Sequence, residues 1–122
     1  MSHHPDFDVL TRTCPSRTSL ARIANKWTAM VVTALGDEKL RFTELRTAVT
    51  GISNKVLTVT LRDLERDGLV ARHVHEEKPP RVEYELTELG HTLLAPLAAL
   101  WRWADEHTGK VLAARESYDA RR

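Results

Sequence analysis

The stretch from Phe42 to Gly68 is punctuated by residues that dictate backbone geometry, and the rest of the chain has to fit around it. Phe42 to Val49 reads as a short amphipathic helix, followed by a tight Thr50-Gly51-Ile52 turn in which glycine supplies positive φ. Ser53 is placed as an N-cap, its hydroxyl accepting a bond from an otherwise orphaned N–H of the next helical turn. The helix it opens runs from Asn54 to Asp67 and stops at Gly68, a natural residue for a left-handed helix end. Helix, glycine turn and capped helix together make a helix-turn-helix.

The second helix carries the functional inference. At about 100° per residue, Leu57, Leu61 and Leu64 form one apolar stripe. Lys55, Arg62 and Arg66 fall on the opposite side, with Thr58 and Val59 at their margins and Asp63, Glu65 and Asp67 on the flanks. One face suits a core and the other a phosphate-lined groove. Many surface helices share this pattern simply to stay solvated, so the neighbouring elements have to decide.

After Gly68 the period changes from helical to alternating. Leu69 to His75 and Arg81 to Leu86 read as two strands around a polar, proline-stiffened tip, Glu76-Glu77-Lys78-Pro79-Pro80. Two strands around a charged loop, directly after the second helix, make a wing. Upstream, Ser16 to about Asn25 reads as a helix with Leu20, Ile23 and Ala24 inward, and Lys26 to Leu35 as another with Trp27, Met30, Val31 and Ala34 inward. Trp27 at this spacing is read as a core aromatic rather than a ligand-stacking ring. Leu40 to Phe42 reads as a very short strand.

Thr87 caps the last helical segment, with Glu88 favoured by the helix dipole. Leu89, Leu93, Leu97, Leu100, Ala104, His107 and Val111 recur at coiled-coil spacing, and Pro96 is expected to kink or divide the helix. With Trp101 and Trp103 adding apolar area, residues from about Leu93 to Leu112 read as a dimerisation surface, the alternative being a helix folded back on its own domain. The tail from Glu116 to Arg122 is expected to fray.

At 122 residues, with 42% hydrophobic and 29% charged side chains, the size and composition are those of one globular domain. No run approaches the ~18 apolar residues of a membrane span, and no signal-peptide pattern opens the chain, so the expected location is the cytoplasm with no membrane partner. The formal charge is only +1. Between Lys39 and Leu86 nine basic residues face eight acidic ones, so any basic patch has to come from arrangement in space. The single cysteine, Cys14, excludes a disulfide within the chain and a multi-thiolate zinc site. His73 and His75 share one strand face, where a metal site with Glu76 or Glu77 is conceivable. Surface histidines explain the pair adequately, and no metal or cofactor is expected. No nucleophile triad, P-loop or pair of catalytic carboxylates is present, so the chain is not read as an enzyme.

The segments Cys14-Pro15, Lys26-Trp27-Thr28, Arg41-Phe42-Thr43-Glu44-Leu45, Gly51-Ile52-Ser53-Asn54-Lys55, Leu61-Arg62-Asp63-Leu64-Glu65, Pro79-Pro80-Arg81-Val82-Glu83-Tyr84 and Leu86-Thr87-Glu88-Leu89-Gly90 together resemble the HxlR-type family of winged-helix transcriptional regulators, relatives of the MarR group. Ala24-Asn25, where members often carry two glycines, and His75, where an aromatic is common, are departures outside the DNA-reading face. The resemblance implies a homodimer, usually a repressor of its own or a neighbouring operon, and in some members an oxidant- or electrophile-sensing cysteine near the N-terminus.

The expected fold is therefore mainly α with a small β-wing: a winged helix-turn-helix forming a homodimer through its N- and C-terminal helices. Residues 1–13 form an arm with Phe7, Val9 and Leu10 as anchors, residues 14–92 the DNA-binding domain, and residues 93–122 a C-terminal dimerisation helix and tail. Ser53, Asn54, Lys55, Thr58 and Arg62 are the expected major-groove contacts, since the N-terminal half of a recognition helix enters the groove. Arg62 or Lys55 suits guanine O6 and N7, Asn54 adenine, the Thr58 methyl a thymine methyl, and Ser53 a phosphate. Lys78 and Arg81 in the wing suit backbone phosphate or the minor groove, with Arg41 and Arg46 as weaker phosphate candidates. Glu65 and Asp67 are expected to face away from DNA. The expected partner is double-stranded DNA bearing an inverted repeat. Cys14, just before a helix N-terminus and between Arg12 and Arg17, is the candidate redox sensor, its surroundings favouring a reactive thiolate. Two rivals stay open: control by a small aromatic or quinone-like effector between the domain and the dimer helices, and a winged-helix protein-interaction module that binds no DNA.

Overall fold

A computed structural model describes Leu10 and residues 14–121; apart from Leu10, the N-terminal arm and its anchors Phe7 and Val9 lie outside the described residues. The elements are α1 (Pro15–Ile23), α2 (Lys26–Leu35), β1 (Leu40–Arg41), α3 (Phe42–Ala48), α4 (Asn54–Arg66), β2 (Val70–His75), β3 (Arg81–Leu86), α5 (Glu88–His91) and α6 (Leu94–Ala120).

Local chemistry sets most of these boundaries. Ser53 Oγ accepts from the Val56 N–H at 3.1 Å and opens α4. Gly51 and Gly68 take positive φ, 91° and 77°, at the turn and at the end of α4. Thr87 Oγ1 accepts from the Gly90 N–H at 3.0 Å and donates to the Gly68 carbonyl, tying the start of α5 to the end of α4. The helix expected to reach Asn25 stops at Ile23. Asn25 instead caps α2, its Oδ1 accepting from the Trp27 and Thr28 N–H groups. A side-chain acceptor followed by Lys-Trp-Thr serves a helix start better than a helix interior.

The strands form one antiparallel sheet in the order β1-β3-β2. Val70 faces Leu86 and His75 faces Arg81 across the hairpin, while Leu40 and Arg41 of β1 face Tyr84 and Glu83. The two-residue β1 thus joins the entry of α3 to the wing and sets the wing's angle to the helix-turn-helix.

The core lies between α2, α3, α4 and the base of the hairpin. It contains Val31, Val32 and Leu35 of α2, Leu45 and Val49, Leu57, Leu61 and Leu64 of α4, Val70, Leu86 and, from α6, Leu97. Each such aliphatic side chain contributes about 1.5–3 kcal/mol on burial. The buried stripe of α2 is Thr28, Ala29, Val31, Val32 and Leu35, rotated from the expected one; Trp27, Met30 and Ala34 are only partly buried at its edge. In α1 no residue is buried, and Leu20, expected to point inward, is 58% exposed.

The C-terminal segment divides as expected, but ahead of Pro96. The break falls at Thr92–Leu93, and Pro96 sits in the first turn of α6, where its missing N–H has no intrahelical partner to lose. Leu97 is buried against the domain and Trp101 Nε1 donates to Thr33 Oγ1 at 2.8 Å. Leu100, Trp103 and Leu112 of the same helix are exposed. The helix does not fray at Glu116 but runs to Ala120, through the strong helix formers Leu112, Ala113, Ala114 and Arg115. No helix among the described residues is long and apolar enough to cross a membrane.

Candidate nucleic-acid interface

Leu57, Thr60, Leu61 and Leu64 seat α4 on the core, which leaves Ser53, Asn54, Lys55, Thr58 and Arg62 exposed along its other side. The expected groove-facing residues are therefore brought together on one accessible surface. Their side chains are not equally free. The Ser53 hydroxyl is occupied as an acceptor by the cap, so only its hydrogen is left to donate to an anion. Asn54 Oδ1 accepts from Arg46 Nη1 at 2.7 Å, so a two-point contact with adenine requires that bond to open. Thr58 Oγ1 donates to the Asn54 carbonyl at 2.7 Å, which leaves the γ-methyl for apolar contact. Arg46, eight residues away across the turn, thus positions Asn54 and adds positive charge beside the N-terminus of α4.

The near-neutral charge of the chain is resolved by pairing. Asp63 and Asp67 are held by Arg22, at 3.0 and 2.7 Å. On the wing, His73 Nε2 lies 2.7 Å from Glu85 and His75 Nε2 lies 2.8 Å from Glu83, the latter contact lacking the alignment of a hydrogen bond. Glu83 and Glu85, across the hairpin, rather than Glu76 or Glu77, are therefore the carboxylates beside the two histidines, and no metal-competent cluster occurs among the described residues. Arg81 stands 3.4 Å from Glu77 and 3.7 Å from Glu83. As a result Lys55, Arg62 and Lys78 carry no ion pair among the described residues, whereas Arg81 is engaged within the wing.

Two features escaped sequence reasoning. A cleft of about 300 Å³ at the junction of α4 and the wing brings Arg62 together with Arg72, Thr58 and Tyr84. Glu65, expected to face away, lines the same cleft. Strand period puts Arg72 and Tyr84 on one face, but only the docking of the hairpin against α4 shows that Arg62 joins them. Asp67, in contrast, turns toward α1 and its Arg22.

Cys14 is the N-cap of α1, its carbonyl accepting from the N–H groups of Arg17 and Thr18. Its thiol is buried, the residue being 4% exposed. Arg12, the other cation invoked for it, lies outside the described residues.

Residues 22–111 match the family model described as HxlR-like helix-turn-helix. The uncharacterized HTH-type transcriptional regulator YdeP of Bacillus subtilis is 39% identical over 109 residues, covering 87% of this chain and 85% of the relative. The solved structure of ytfH from Salmonella typhimurium superposes with a TM-score of 0.83 at 37% identity, covering 91% of this chain and 99% of that one. The redox regulator HypR superposes in its reduced form with a TM-score of 0.74 at 35% identity, covering 81% of this chain and 98% of that one. Its oxidized form gives 0.70 at 39% identity, covering 76% and 96%. With a winged-helix architecture, a matching family model over most of its length and relatives of this similarity, the chain belongs to the HxlR-like helix-turn-helix family and is a transcriptional regulator of the helix-turn-helix type.

Proposed function

We propose that this protein is a cytoplasmic, homodimeric repressor without a catalytic step of its own, in which α4 enters the major groove of an inverted-repeat operator and the wing contacts the flanking backbone. The observation that carries the reading is the face of α4. Lys55, Thr58 and Arg62 stand exposed opposite the buried Leu57, Leu61 and Leu64, while Asp63 and Asp67 are both bridged by Arg22. Ser53, Asn54 and Lys78 complete the contact set, and Arg81 joins it through the wing. The division of labour is a reading domain over residues 14–92 and a dimerising segment over residues 93–122. Exposed Leu100, Trp103 and Leu112 on α6, with Leu20 on α1, supply the apolar area that a second copy would cover. A two-fold dimer reads half-sites one helical turn apart, roughly 34–36 Å.

Oxidation at Cys14 is the proposed control. The similarity to HypR, solved in oxidized and reduced forms, supports it, and so does the placement of Cys14 at the first turn of α1. Because the thiol is buried, its oxidation requires the segments that cover it to open. A second reading has its own observation: a cleft of about 410 Å³ lined by Met30, Thr33, Ala34, Val49, Trp101 and Asp105 lies between the domain and α6, the place a small aromatic effector would occupy. Fluorescence anisotropy with a duplex recovered by this protein from a random DNA pool tests DNA binding and the thiol switch. The expected result is tight, salt-sensitive binding, lost on treatment with a mild thiol oxidant and retained by Cys14→Ser under the same treatment. Loss in Cys14→Ser as well would discard the thiol switch, and recovery of no duplex would refute DNA binding itself.

A further inference from the structure

We infer that Arg22 is a positioning residue for DNA reading: its guanidinium clamps the C-terminal turns of α4 to α1 and holds the recognition helix at its working angle. The inference rests on α4 being the DNA-reading helix. Arg22 Nη1 lies 3.0 Å from Asp63 Oδ2 and Nε lies 2.7 Å from Asp67 Oδ2, so two atoms of one planar group meet two carboxylates one helical turn apart. A fork of this kind constrains rotation as well as distance.

Apolar packing is thin at the α1 side. The buried stripe of α4 faces α2 and the hairpin, and α1 fully buries no residue, with Ile23 packed against the core but only partly buried. Between α1 and the middle of α4 there is an open cleft of about 320 Å³ reaching from Ala21 and Asn25 to Lys55, Val56 and Val59, with Arg22 and Asp63 among its walls. Across that gap the Arg22 bridge is the direct polar tie among the described residues, and it resists rolling of α4 about its leucine stripe.

The two aspartates are also hard to explain without the clamp. Like charges at i and i+4 repel, and anions near a helix C-terminus oppose its dipole. On a DNA-binding helix they also repel phosphate. One guanidinium offsets all three penalties. The same bridge gives α1 a mechanical route to α4, so a displacement of α1 of any origin is felt at the recognition helix.

The clamp and plain electrostatics predict opposite signs, which makes the test sharp. The probe is the selected duplex, titrated by anisotropy over a series of salt concentrations with full-length protein. If the aspartates were merely repulsive, Asp63→Asn with Asp67→Asn would tighten binding. With the clamp, that double variant and Arg22→Ala each weaken binding about three- to ten-fold. The salt slope is unchanged, because no phosphate contact is lost. Arg22→Lys, which keeps the charge but not the fork, falls between wild type and Arg22→Ala. The triple variant is no weaker than either parent. Tighter or unchanged binding by the double aspartate variant, or a slope in Arg22→Ala reduced by about one, would overturn the inference. Lys55→Ala and Arg62→Ala serve as controls: if these leave binding intact, the assignment of α4 fails, a result distinct from failure of the clamp.

Discussion

Gly90 stands where the family-like Leu-Thr-Glu-Leu-Gly segment crosses the base of the hairpin, and replacing it with alanine tests the packing directly. In a helix the change ordinarily stabilises, by up to about 1 kcal/mol. Here a Cβ would lie 2.1 Å from the Leu69 carbonyl oxygen and 3.2 Å from Leu86 Cδ2. An ordinary C···O contact is about 3.3–3.6 Å, so α5 has to retreat from the backbone by more than ~1 Å. The retreat acts on two bonds that anchor α5, Thr87 N–H to the Leu69 carbonyl at 3.0 Å and Thr87 Oγ1 to the Gly68 carbonyl at 2.6 Å. Overpacking costs about 1–3 kcal/mol and the two bonds about 1 kcal/mol each. The expected net effect of Gly90→Ala is therefore a loss of about 2–4 kcal/mol, the clash outweighing the propensity. Urea unfolding followed by far-ultraviolet circular dichroism, at one fixed protein concentration, reads this as a midpoint lowered by about 1–2 M. Gly109→Ala in α6 is the matched control, since a Cβ there meets nothing within 4 Å. It is expected to raise stability by up to about 1 kcal/mol. A Gly90→Ala midpoint at or above wild type would refute the packing argument.

Ser53→Ala removes the cap bond to Val56 and is expected to cost about 1 kcal/mol in the same unfolding experiment. Lys55→Ala and Arg62→Ala, neither residue ion-paired among the described residues, are expected to weaken DNA binding in the anisotropy titration, whereas Arg81→Ala weakens it less because Glu77 and Glu83 already engage that guanidinium. Trp103→Glu on the exposed side of α6 is expected to shift the protein from dimer to monomer in sedimentation velocity; an unchanged dimer would move the interface elsewhere. Arg46→Ala is expected to alter base preference at the position read by Asn54 without abolishing binding, checked by repeating the duplex selection.

The limits of α4, the wing strands and the cap of α5 were legible because each depends on neighbours a few residues away. Ser53 and Thr87 present a short-range acceptor, Gly51 and Gly68 permit positive φ, and the hairpin alternates with period two, all without knowledge of the rest of the fold. The exposed side of α4 was legible for the same reason, since helical period alone sets Lys55 and Arg62 against Leu57 and Leu61. Asn25 is the local exception: the helix pattern overran it, although an Asn before Lys-Trp-Thr is a cap signal in its own right.

What tertiary structure decided involves partners far apart in the chain, which no period or cap encodes. Trp101 reaches Thr33, Arg22 reaches Asp63 and Asp67, and the hairpin brings Arg72 beside Arg62. Burial belongs to the same class. Leu20 has the apolar character of a core residue and is exposed, while Cys14 has the flanking charges of a reactive thiol and is buried, because the docking of α1 rather than its composition sets both. Net charge was misleading for the same reason. A formal +1 says little about DNA when tertiary contacts determine which carboxylates are already paired and which cations are left free.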